Sequence, residues 1–143
     1  MENFEAAKSD LEKALELNAN AGDLRFLKGG ISYSQGKFAE ALPDLRLATE
    51  LLPNKREAFE LLGRAYFETG DYSSALSTLT NAIRLDPGKG FSYHWRGNAH
   101  YQREEFDQAL IDFLKAQELG FDSPQNTRLI GLSNHKLGNR GHV

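Results

Sequence analysis

Sliding the sequence along itself by 34 residues brings column after column into register. Phe4, Phe38, Tyr72 and Phe106 align, followed by Ala7, Ala41, Ala75 and Ala109. Leu11, Leu45, Leu79 and Phe113 come next, then Ala14, Ala48, Ala82 and Ala116, then Leu17, Leu51, Leu85 and Leu119. A further column holds Gly29, Gly63, Gly97 and Gly131, and Pro53 matches Pro87. Self-similarity at one fixed period means a stack of like units, each too small to bury its own apolar face alone.

The columns also say what a unit is. From Phe38 to Leu51, and again from Ala58 to Phe67, apolar residues fall three and four apart, the spacing of an amphipathic helix. Gly70-Asp71 forms the turn between two such helices, with Asp71 placed to cap the second, and Gly36-Lys37 occupies the same place one unit earlier. The Gly63 and Ala75 columns are expected where two antiparallel helices cross, because small residues let backbones approach. Pro53 and Pro87 end the second helix, since proline restricts the residue before it and cannot continue the ladder. Pro43 lies inside a helix whose columns keep register, which predicts a mild bend rather than a break. The chain divides into a half unit at 3–21 (a second helix), whole units at 22–55, 56–89 and 90–123, and a half unit at 124–138 (a first helix). Ser123-Pro124 reads as an N-cap followed by proline in the first turn. About eight helices are expected, with 139–143 outside the repeat.

Phe59-x-x-Leu62-Gly63-x-x-Tyr66, then Gly70-x-Tyr72-x-x-Ala75, Leu79, Ala82 and Pro87, resembles the tetratricopeptide repeat. The unit at 22–55 keeps Gly29, Ala41, Ala48 and Pro53 but has Ser32 in the tyrosine column. The unit at 90–123 keeps Gly97, Ala109 and Ala116, with His100 in the tyrosine column and Phe121 in the proline column. The resemblance implies an all-α, right-handed superhelical solenoid of antiparallel helix pairs. It implies further that the first helices line a concave groove holding a peptide or helical segment of another protein.

By register, the groove-facing residues this implies are Asp23, Phe26, Leu27, Gly30 and Tyr33; then Glu57, Glu60, Leu61, Arg64 and Phe67. Phe91, His94, Trp95, Asn98 and Tyr101 follow, and finally Gln125, Arg128, Leu129, Leu132 and His135. The expected partner-binding set within it is Phe26, Tyr33, Glu60, Arg64, Phe67, Phe91, His94, Trp95, Asn98, Tyr101 and Arg128. Its aromatics suit an interface, because they bury large area at low entropy cost. Tyr33, Phe67 and Tyr101 either form a stripe across the groove or belong to the core between units. The column of Leu27, Leu61, Trp95 and Leu129 leans toward packing. Phe91 and His94, less constrained by the repeat, are the first choices for partner contact, while Glu57, Glu60 and Arg64 read as a solvated face. The carboxylate clamp by which some family members hold a chaperone C-terminus is not expected: Phe26, Gly30, Leu61, Phe91 and Trp95 stand at its positions. Asn98 falls in a clamp-type column but in another unit, without its lysine.

Composition closes off other classes. A net charge of −3 and a pI near 5.8 give no reason to expect nucleic acid or an anionic membrane. The chain has no cysteine, hence no disulfide, thiolate metal site or cysteine nucleophile. No stretch approaches the ~20 apolar residues that span a bilayer, and the opening residues lack a secretory pattern, so the expected address is cytoplasmic. His94, His100, His135 and His142 lack metal-ligand spacing, and Gly29-Gly30 lies in a helical register rather than a phosphate loop. Neither catalysis nor a cofactor or metal is expected. Two other readings stand beside the binding module. In one, a weak self-association joins the unpaired terminal helices of two copies, although Lys8, in the column of Leu42, Leu76 and Leu110, suits a polar cap better. In the other, the chain is a piece of a longer protein.

Overall fold

The computed structural model of the chain describes residues 3–17 and 21–138; positions 18–20 of the first half unit, and 139–143 with His142, lie outside them. The described residues form eight helices and no strand: α1 (Phe4–Leu17), α2 (Gly22–Ser34), α3 (Phe38–Leu51), α4 (Arg56–Glu68), α5 (Tyr72–Leu85), α6 (Gly90–Gln102), α7 (Phe106–Glu118) and α8 (Pro124–Gly138). None is long and apolar enough to cross a membrane. The helices stack as antiparallel pairs, α2 with α3, α4 with α5 and α6 with α7, while α1 packs on α2 and α8 on α7.

Each pair is closed by one repeated contact. A Cβ placed on Gly29, Gly63 or Gly97 would lie 2.6–2.7 Å from Leu45, Leu79 or Phe113 on the facing helix. The glycine column is therefore held by the large apolar residue four positions past the Ala75 column, and only a missing side chain permits that approach. Ala41, Ala75 and Ala109 are themselves fully buried. Gly36 and Gly70 turn the chain between the helices of a pair with φ of 78° and 86°. The third pair makes the same turn at Glu104, with φ 62°, where a side chain stands in the left-handed region. Asp71 caps α5, accepting a hydrogen bond from the Ser74 backbone N–H at 3.2 Å, and Pro43 lies within an uninterrupted α3.

Charge also ties helices within pairs. Arg96 on α6 donates two hydrogen bonds of 2.8 Å to Asp112 on α7, and Arg25 on α2 donates one of 2.9 Å to Asp44 on α3. Asp112 is only 3% exposed, and its hydrogen bonds hold the Arg96 guanidinium above its ordinary pKa.

Candidate functional site

The helices do not stack evenly. Helix α2 comes close to α4, and α4 to α6, whereas the second helices stand farther apart along the stack. Helices α2, α4 and α6 thus form the more tightly spaced side of the stack, and α8 continues the series of first helices at its end.

From α4 onward, successive first helices are joined by a polar contact of constant register. Ser92 donates through Oγ to Glu60 Oε2, and His94 bonds through Nδ1 to Asn126 Oδ1 at 2.8 Å, each across a separation of 32 residues. Asn126 Nδ2 donates to the Phe113 carbonyl at 2.9 Å, which leaves its Oδ1 to accept from His94. Asn98 Nδ2 lies 3.1 Å from His94 Nε2 and donates to it. This chain of donors assigns the neutral Nδ1–H tautomer to His94. Burial, opposed by the Asn126 bond, holds its pKa below the ordinary 6.5. Arg56 pairs with Glu60 at 2.5 Å and satisfies its remaining oxygen.

Two expectations are corrected by these contacts. Glu60, read as part of a solvated face, is 7% exposed, and His94, a first choice for partner contact, is 2% exposed. Both occupy the column that joins one first helix to the next, where a polar group must find a partner because it has left water. Phe91 is half-buried as well, edge-on to Trp95 at 6.3 Å and to Phe121 at 5.9 Å.

Arg64 is the second surprise. It is half-buried, and its guanidinium carbon lies 4.9 Å from the centre of the Tyr33 ring, 5.2 Å from Phe91 and 5.1 Å from Trp95. One cation on α4 thereby bridges aromatics of α2 and α6. Tyr33, Phe67 and Tyr101 each meet the first residue of the next helix edge-on, at 4.9, 5.3 and 5.1 Å from Phe38, Tyr72 and Phe106. One edge of each ring packs the pair, and the residue stays half-buried. Phe26 is likewise half-buried, with Lys55 Nζ 5.1 Å from its ring centre.

Five of the expected residues gather at one place. Phe67, Trp95, Asn98, Tyr101 and Arg128, together with Leu132, line a cleft of about 440 Å³ between α4, α6 and α8. Leu129 forms part of its floor and is buried, while Leu27 in the same column is 51% exposed. Sequence reasoning gave no role to Gln102, which also lines the cleft, or to Ser92 and Asn126, which fix its walls. The 32-residue spacing of polar residues on successive first helices was the available signal. A larger cleft of about 660 Å³ lies on the other side, against Arg96, His100 and Arg103. Those three are already engaged by Asp112, Glu105 and Ser73. Among the described residues, no group of three or more His, Cys, Asp or Glu side chains could hold a metal ion.

The architecture has close counterparts. The chain superimposes on the crystal structure of MamA with a TM-score of 0.91 at 23% identity, covering 95% of this chain and 80% of that one. It superimposes on YrrB, described as a tetratricopeptide repeat protein with an unusual peptide-binding site, with a TM-score of 0.82 at 28% identity, covering 87% and 64%. The first repeat domain of Spaghetti (RPAP3), bound to an HSP90 peptide, aligns with a TM-score of 0.79 at 21% identity, covering 82% and 93%. No curated protein sequence matches. The profile of the tetratricopeptide repeat matches residues 1–56 and 57–124, and the chain belongs to the tetratricopeptide repeat family.

Proposed function

We propose that this protein is a non-catalytic interaction module whose concave groove takes a short segment of another protein. The observation that carries the reading is the cleft of about 440 Å³, built from three first helices with apolar walls and a polar rim. That combination lets one apolar side chain be buried while main-chain groups find Asn98, Gln102 or Arg128. Peptide binding by YrrB and by the RPAP3 domain on the same scaffold supports it.

Trp95, the only tryptophan, stands in the cleft wall and reports occupancy by fluorescence. Pools of capped random heptapeptides should change its emission saturably, and Leu132→Arg, which fills the cleft from α8, should abolish the change while helical content is kept. Saturable binding that survives Leu132→Arg would move the site elsewhere.

A second reading, association of copies, is favoured by one observation: Gly131 on α8 has open space where Gly29, Gly63 and Gly97 each face a large side chain. Light scattering over a concentration series tests it, and a constant monomer mass removes it.

A further inference from the structure

Arg64 differs from the arginines of the stack that pair with carboxylates. Arg25, Arg56, Arg96 and Arg103 each have a carboxylate at hydrogen-bonding distance or close to it. Arg64 instead rests among three rings, and its buried Nε has no hydrogen-bond partner. Ring faces attract a cation but give its N–H donors no acceptor. A guanidinium taken partly out of water in this way gains most from a planar anion that meets it fork to fork. Trp95, one of the three rings, is also a wall of the apolar cleft.

We propose that Arg64 reads an aspartate or glutamate side chain of the bound segment, next to the apolar residue that enters the cleft. The proposal rests on the groove reading above and specifies its ligand as an internal acidic-apolar motif. Charge complementarity supports that occupant: Arg64 and Arg128 flank the Trp95 wall, and Lys55 stands over Phe26 at the other end of the groove. One competing anion is the exposed Glu68, which with Arg64 reaches the Tyr33 hydroxyl.

The test uses three pools of random heptapeptides: capped with central Glu, capped with central Gln, and central Gln with a free C-terminal carboxylate. Trp95 emission reports binding to the full chain. The Glu pool should bind about tenfold more tightly than the capped Gln pool, a ratio equal to ~1.4 kcal/mol. Raised salt should shrink the preference. Arg64→Gln should erase it while binding of the Gln pool persists, Arg64→Lys should restore it in part, and Glu68→Gln should enlarge it. Circular dichroism on each variant confirms the helices.

Equal binding of the capped Glu and Gln pools, still lost in Leu132→Arg, would overturn the carboxylate proposal and leave the groove standing. A Glu preference that survives Arg64→Gln would overturn it too. Tighter binding of the free C-terminal pool than of the Glu pool would overturn the assignment to a side chain. No saturable binding of any pool would sink the groove reading and this proposal together.

Discussion

The same substitution, glycine to alanine, should have opposite effects at two positions of one column. At Gly63 an added Cβ would lie 2.6 Å from Leu79 Cγ and 2.8 Å from its Cδ2. Leu79 is fully buried between α4 and α5, so it cannot swing away, and either the backbones separate or the leucine leaves its rotamer. Overpacking of this kind costs about 1–3 kcal/mol. Against it stands a helix-propensity gain of about 0.8–1 kcal/mol for alanine over glycine. Gly63→Ala should therefore lose on the order of 1 kcal/mol, and more if the stack is rigid. At Gly131 nothing lies within 4 Å of the added carbon. Only the propensity gain remains, and Gly131→Ala should stabilise by about 0.8–1 kcal/mol.

Urea unfolding followed by helical circular dichroism measures both, with the slope compared between variants because repeat stacks can melt in parts. Thermal midpoints should move by about 4 °C per kcal/mol, downward for Gly63→Ala and upward for Gly131→Ala. A Gly63→Ala variant as stable as the parent would show that α4 and α5 can part at little cost. A Gly131→Ala loss matching Gly63→Ala would show that something covers that face of α8 in solution.

Three further outcomes are expected. Glu104→Gly relieves a left-handed side chain at the α6–α7 turn and should raise stability by about 0.5–1 kcal/mol in the same urea assay. Asp112→Ala strips Arg96 of its two hydrogen bonds to the carboxylate and leaves it the one to Thr80, and since the arginine side chain is partly exposed the loss should be ~2 kcal/mol rather than the larger cost of a fully buried pair, measured by the same melts. His94 is held below its ordinary pKa of 6.5, so below that pH the unfolded chain takes up a proton that the folded chain refuses. Stability should then fall as pH drops from 6.5 towards 5, by at most ~1.4 kcal/mol per pH unit, and that part of the slope should vanish in His94→Gln.

Periodicity made the fold legible because each column repeats the same steric requirement. A glycine facing Leu45, Leu79 or Phe113 is a demand of backbone approach, and such demands recur wherever a pair is closed. The groove was legible only in part, because register tells which side of a helix a residue lies on and not how far it is covered by the next unit. His94 and Glu60 show the difference. Their column faces inward on every first helix, yet Asn126 and Ser92 on the following helix reach across to engage them. Phe26 has Ala58 in the corresponding place on the next helix, which can offer no hydrogen bond, so the column is apolar there. Arg64 was misread for a related reason: its surroundings come from α2 and α6, so no property of α4 alone could reveal them. In a stack of this kind, the local pattern determines the pair, while the chemistry of the groove is set by residues about 30 positions away on either side. A groove residue is therefore best read together with its neighbours one unit before and one unit after.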